Sequence, residues 1–269
     1  MPSPTEITVA QLSRLIGLAE CPVIIDVCTD EDFAADPNLI PTAVRHPFAN
    51  IDELAPALAG RRVVVVCQKG LKLSQGAAAL LRCHNIQAET LEGGMIAWRD
   101  AGAPVIAAKA LPQSDRRTGS IWVTRHRPKI DRIACPWLIR RFVDRDARFL
   151  YVEPGQVTNV AERFGAIPFD VEGVFWSHRG ELCTFDVMEE EFGLGAEALL
   201  RLATIVRGAD TDRHDLAPQA AGLLAVSLGL SRMYRDDLQQ LEAGLAVYDA
   251  FYRWARDAHG ETHDWPANT

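Results

Sequence analysis

The stretch Arg62-Val63-Val64-Val65-Val66-Cys67 constrains the fold more than any other part of this sequence. An unbroken β-branched run has no polar face, so it has to be buried on both sides, as in the middle of a parallel sheet. After Cys67 come Gln68-Lys69-Gly70-Leu71-Lys72-Leu73-Ser74, and then the helix-favouring segment Gln75 to Arg82. A central strand that delivers a thiol to the amino end of a helix sits where α/β domains place their ligand chemistry. Backbone N–H groups and the helix dipole there favour a thiolate over a thiol. Lys69 and Lys72 add positive charge beside it. The stretch therefore predicts a nucleophile, Cys67, in a loop of Gln68, Lys69, Gly70, Leu71, Lys72 and Leu73 that receives small anions.

The surrounding hundred residues alternate in type. Helical spacing at Leu12, Leu15 and Ile16 precedes a short strand over Val23–Val27, and a helix or turn begins at Asp30. A loop over Leu39–Val44 leads to another strand, Ile51 to Leu58 reads as helical, and Ala88–Leu91 is again a strand. Gly93-Gly94 turns into a last helix through Trp98, ended by Gly102 and Pro104. Such an order predicts an α/β domain, a parallel sheet flanked by helices. With 269 residues there is material for two domains: 1–106, a linker over 107–120 rich in Pro, Gly and Ser, and 121–269. No apolar run approaches the roughly 20 residues that cross a bilayer. The amino terminus lacks a basic stretch followed by an apolar one, so a cytoplasmic protein with no membrane partner is expected. The six cysteines are scattered without a C-x-x-C pair, which favours reduced thiols over disulfides or zinc.

The second part opens with a strand, Ile121–Thr124, and a polar loop running from Arg125 to Ala134. Pro136 suits the first position of a helix, with Leu138, Ile139, Phe142 and Val143 as its apolar face, which would put Cys135 near the N-cap. Phe149–Val152 reads as a strand. Residues 174–186 read as a hairpin about Arg179-Gly180, with His178 opposite Glu181 and Trp176 opposite Cys183. Helices follow over about 196–207, 216–230 with Asp215 as a cap, and 236–258. The expectation is a mainly helical α+β domain with a small hairpin.

Net charge is −8, which counts against general nucleic-acid binding, as does the lack of a helix-turn-helix pattern. The charge is unevenly spread. Residues 116–148 carry a surplus of seven positive charges and residues 149–269 a deficit of eleven. The basic block suits an anion, a nucleic-acid backbone, or the acidic remainder of its own domain. Arg125, Lys129, Arg132 and Arg140 around Cys135 are candidates for an oxyanion site, because helix amino ends and arginines suit such a guest. His178, Asp210 and Asp215 are weak metal candidates, since their spacing matches no metal motif. No metal or other cofactor is expected.

Two family resemblances rest on particular residues. Ile25-Asp26-Val27, Ile40-Pro41-x-Ala43, Cys67 with Gly70 three residues on, and Leu91-Glu92-Gly93-Gly94-x-x-Ala97-Trp98 stand in the order found in rhodanese (sulfurtransferase) domains, and residues 7–106 resemble that family. The resemblance implies that Cys67 attacks a small anionic sulfur donor of the thiosulfate type, holds the sulfur as a persulfide and passes it to a thiol acceptor. The loop departs from the family pattern: Lys72 and Leu73 replace its Arg and Ser, and Ser74 follows one place later, so the cradle is expected to be wider. Related phosphatases widen this loop too but end it with Arg, absent here. Thr42 stands where the family has Gly, and Cys28 where it often has Arg. Cys28 is a candidate to resolve an oxidised Cys67, with a core thiol the favoured reading.

From 121 to 258 the chain resembles the chromate-resistance protein domain. That resemblance is carried by Trp122–Arg125, Arg127–Arg141, Ser177–Gly180, Cys183–Asp186, Arg207–Thr211 and Asp215–Leu223. It implies a part in the response to chromate, a tetrahedral dianion that would be the guest of the basic site. The expected function is thus a sulfurtransferase coupled to chromate resistance. The alternative is an oxyanion-sensing, regulatory binding protein whose first domain is a non-catalytic scaffold.

Overall fold

The computed structural model describes residues 4–112 and 119–261; residues 113–118, the middle of the expected linker, lie outside the described residues. The first half runs β1 (Glu6–Ile7), α1 (Val9–Leu15), β2 (Val23–Asp26), α2 (Asp30–Ala35), β3 (Asn38–Leu39), β4 (Val44–Arg45), α3 (Ala55–Leu58), β5 (Arg62–Val66), α4 (Lys72–Cys83), β6 (Gln87–Leu91), α5 (Gly94–Asp100) and β7 (Ile106–Ala107). Five of these strands form one parallel sheet in the order β1-β6-β5-β2-β4. The valine run is its central strand. Val64 and Val66 join Ile24 in one core cluster, while Val63 and Val65 join Ile25, Ala77, Ala78 and Leu81 in another. All four valines are at most 1% exposed, which is why the strand could afford no polar face. β3 pairs antiparallel with β7, so the first residue of the expected linker, Ala107, is still part of the first half.

The second half holds β8 (Ile121–Arg125), α6 (Asp131–Leu138), β9 (Arg148–Val152), α7 (Val157–Phe164), β10 (Ile167–Pro168), α8 (Thr184–Phe192), α9 (Glu197–Asp210), α10 (Ala220–Met233) and α11 (Asp237–Arg253). It is mostly helical, around a small parallel sheet in the order β10-β8-β9. The expected hairpin over 174–186 does not form. Gly180, at φ +60°, closes a tight turn bridging Arg179 and Leu182, and Cys183 with Asp186 then caps α8 reciprocally. That cap commits the chain to a helix before a second strand can grow.

Two helix starts also differ from expectation. Asp215 caps nothing; it lies in a short 3₁₀ turn, His214–Leu216, and α10 starts at Ala220. Pro136 does not open α6, which begins five residues earlier at Asp131. An interior proline removes the N–H that would bond the carbonyl four residues back. Here that carbonyl, of Arg132, accepts the Tyr151 hydroxyl at 2.9 Å instead. The missing bond is thereby compensated from β9, and the helix continues into a π-turn over Ile139–Val143.

The two halves share a core. Leu12, Ile16 and Trp98 from the first pack in one cluster with Trp137, Phe142 and Tyr252 from the second. The Thr42 amide donates to the Phe142 carbonyl at 2.8 Å, Arg145 donates to the carbonyls of Ala19 and Cys21, and Arg256 donates to that of Arg14 at 3.1 Å. Gly17 sits tightly in this seam: a Cβ there would stand 2.5 Å from Phe142 and 2.7 Å from Tyr252, at a φ of +79°. Gly17→Ala should therefore destabilise the whole chain by about 1–3 kcal/mol in chemical denaturation. An unchanged midpoint would mean that the two halves do not close on this residue.

Candidate functional site

The first site grows from the end of β5. Cys67 is buried, and its Sγ lies 3.2 Å from the Ser74 hydroxyl, which in turn donates to the Leu71 carbonyl at 3.2 Å. The first turns of α4 bring Ser74 back over the thiol, so the hydroxyl that Leu73 cannot supply comes from one position later. The loop is held from behind by the Gly93-Gly94 turn. The Met95 amide donates to the Cys67 carbonyl and the Ile96 amide to that of Gln68, both at 3.1 Å. Gly70, at φ +67°, has no room for a side chain: a Cβ would come within 2.5 Å of the Leu91 carbonyl oxygen.

Gln68, Lys69, Leu71, Lys72 and Leu73 line a pocket of about 440 Å³ with Cys67, while Gly70 sits behind its wall. Lys69 and Lys72 are exposed at its rim. Asp32, from the first turn of α2, lines the same pocket, and nothing in its sequence context marked it. A smaller neighbouring pocket shares Asp32 and Gln68 and is lined by Asp26 and Cys28. Burial, reinforced by the adjacent Asp26 carboxylate, pushes the Cys28 thiol far up, so it is not prepared to act as a second nucleophile.

The five residues expected to form an oxyanion site do not assemble as one. Arg125 and Arg132 both turn to the buried Asp170, at 3.1 and 3.2 Å. Arg140 pairs with Glu242 at 2.6 Å and stacks over Phe149, and Lys129 is exposed. Cys135 lies in the second turn of α6, completely buried, because the helix begins at Asp131. Burial first, and then the surrounding Asp131, Asp170 and Asp210, push its thiol well above the usual range. A dianion would meet arginines already paired with carboxylates and a thiol facing the core.

What the structure gathers there is a polar cluster at the carboxyl edge of the small sheet. His178 Nε2 lies 3.5 Å from Asp131 Oδ2, 3.5 Å from Asp170 Oδ1 and 3.2 Å from Asp210 Oδ2. Asp131 and Asp170 are buried, and His178 is 41% exposed. The amide of Thr184 donates to Asp131 at 2.6 Å and its hydroxyl to Asp170 at 3.0 Å. Contacts with the three carboxylates hold His178 far above its usual range, while burial and the nearby Asp210 push Asp131 up. Of the weak metal candidates, His178 and Asp210 meet here; Asp215 lies elsewhere, exposed beside Arg213. Ile130, immediately before Asp131, has φ +36°, a strained value for a β-branched residue, and is pinned by Ser227 and Tyr248.

The rhodanese-like domain family matches residues 8–101, and the family described as "ChrB, C-terminal domain" matches residues 122–255. The chain joins a rhodanese-like domain to a ChrB C-terminal domain. Protein ChrB of Cupriavidus metallidurans is 34% identical over 169 residues, 58% of this chain and 50% of that protein. The chain thus spans about half the length of that relative. A sulfurtransferase of Allochromatium vinosum is 29% identical over 103 residues, 38% of this chain and 94% of that protein. A rhodanese-like domain protein from Staphylococcus aureus, of known structure, is 32% identical over 35% of this chain and 90% of that one, with a TM-score of 0.31.

The placement of the thiols has a direct consequence. With a small alkylating reagent, exposed Cys83 should be modified rapidly in the native protein, whereas Cys135 and Cys183 should react only after denaturation. Peptide mass spectrometry would register this, and native modification of Cys135 would contradict its burial.

Proposed function

We propose that this chain is a cytoplasmic sulfurtransferase that carries sulfur as a persulfide on Cys67, and that its ChrB-type half couples this chemistry to the response to chromate. The observation that carries the reading is a thiol at the carboxyl end of the central strand, 3.2 Å from a hydroxyl, in a pocket rimmed by two lysines. In the first step the Cys67 thiolate attacks the outer sulfur of thiosulfate. A new sulfur–sulfur bond forms as the donor's own breaks, and sulfite leaves with the electron pair. In the second step an acceptor thiolate attacks the terminal sulfur, and Cys67 departs as the thiolate. Atoms and electrons balance without a redox cofactor. Lys69 and Lys72 raise the local concentration of the donor anion, and the N–H groups of Gln68–Leu73 hold the charge of the bound sulfur. Asp32 opposes them from the same pocket.

The second reading, an oxyanion sensor built on a non-catalytic scaffold, draws on Lys72 and Leu73, which stand where rhodaneses carry Arg and Ser. Sulfur transfer from thiosulfate to cyanide separates the two. Under the first reading, Cys67→Ser loses at least about a thousandfold in rate. A wild-type chain that transfers sulfur from no common donor would leave the scaffold reading in place. The charge balance of the pocket is testable as well. Asp32→Asn should raise kcat/KM for thiosulfate, and Lys72→Ala lower it, each by about two- to fivefold and less at high salt.

A further inference from the structure

We propose that the second half of the chain binds one divalent first-row transition-metal ion, Zn²⁺ or Mn²⁺, between Asp131, Asp170 and His178, with Asp210 beside them. This lies outside the sulfur chemistry of Cys67 and does not depend on it.

The spacing of the donor atoms carries the argument. His178 Nε2 stands 3.2–3.5 Å from one oxygen of each of three carboxylates. A single N–H cannot serve three acceptors, and charge-assisted N–H···O bonds are shorter, about 2.7–2.9 Å. The distances fit a shared centre better. Ligand atoms each about 2.1 Å from a tetrahedral ion stand about 3.4 Å from one another. Atoms of Asp131, Asp170 and His178 also lie mutually within 4.8 Å, so the three converge as a set.

A second observation points to a ligand independently. Asp131 is 0% exposed, yet its Oδ1 has no hydrogen-bond partner among the described residues. A buried carboxylate oxygen without a donor is costly unless something cationic completes it. The charges agree. Against Arg125 and Arg132, the three carboxylates of Asp131, Asp170 and Asp210 leave one net negative charge beside a neutral imidazole, which favours a cation there. One imidazole with carboxylates is a donor set for borderline ions such as Zn²⁺ or Mn²⁺, harder than a thiolate site and softer than an all-oxygen cage. The site lies at the carboxyl edge of a parallel sheet: Arg125 ends β8, and Asp170 follows β10 by two residues. Half-exposed His178 gives an ion a way in from solvent.

The test uses the tag-free 269-residue chain, stripped with a chelator, incubated with Zn²⁺ alone or Mn²⁺ alone, desalted, and measured for bound metal by mass spectrometry. The expected result is one equivalent of at least one of the two ions per chain, with a raised melting temperature. Asp131→Asn and His178→Gln should each weaken binding by roughly ten- to a hundredfold, while Cys67→Ser retains it in full. His178 is half-exposed, so its variant is expected to fold even if Asp131→Asn does not, and circular dichroism checks both. Retention of neither ion by the stripped wild type overturns the proposal, as does undiminished binding by a folded His178→Gln.

Discussion

A Cβ on Gly94 would stand 2.1 Å from the Cys67 carbonyl oxygen and 2.4 Å from the Gly70 nitrogen. That closeness of backbone to backbone is what the first domain is organised around. It allows the amides at the start of α5 to bond the carbonyls of Cys67 and Gln68, which fixes the floor of the loop while its outer residues stay open to solvent. The valine strand aims the chain at this point, α4 carries Ser74 back to the thiol, and the glycine turn sets the loop's depth. Side chains at Gly70 or Gly94 would push these elements apart, at left-handed φ values that ordinary residues avoid. The surroundings of the Cys67 thiol are therefore set by backbone geometry, and the outer side chains of the loop set the charge at its rim.

In the second domain the corresponding constraint is electrostatic. Buried carboxylates have to be partnered. Asp170 takes two arginines and a threonine hydroxyl; Asp186 takes Arg207 at 2.8 Å and the Cys183 amide; half-buried Asp249 likewise takes Arg141 and the Trp137 ring N–H, both at 2.8 Å. Much of the local positive surplus seen in the sequence is thus used inside the domain. Among the described residues of this half, Asp131 is the exception, with one oxygen served by Thr184 and the other left over. The polar cluster with His178 lies around Asp131, and neither Cys135 nor Cys183 faces solvent.

What could be read from the sequence follows from the range of the interactions concerned. The valine strand, its cysteine and the following helix were legible because a β-branched run and its turn residues are local signals. The long terminal helix was legible for the same reason, with Asp236 capping it by accepting from the Gln239 amide at 2.8 Å. Pro136 misled because its preference for a first helical turn was overridden by Tyr151, fifteen residues on, supplying the missing donor. The alternation from Val174 to Asp186 suggested a hairpin, but the Cys183–Asp186 cap is a stronger local commitment. The polar cluster draws on positions 131, 170, 178 and 210, and only the folded chain brings four such distant residues together. Ser74 is intermediate: the residue was visible, but its contact with Cys67 depends on where α4 begins.

Sulfur uptake at Cys67 Sγ is the step on which the proposed function depends. The most direct measurement is tandem mass spectrometry of the full chain after thiosulfate, before and after addition of cyanide. A single added sulfur atom is expected on the peptide containing Cys67, lost on cyanide treatment, with Cys135 and Cys183 unmodified. An adduct confined to another cysteine, or none on Cys67 with any sulfane donor, would contradict the proposed function.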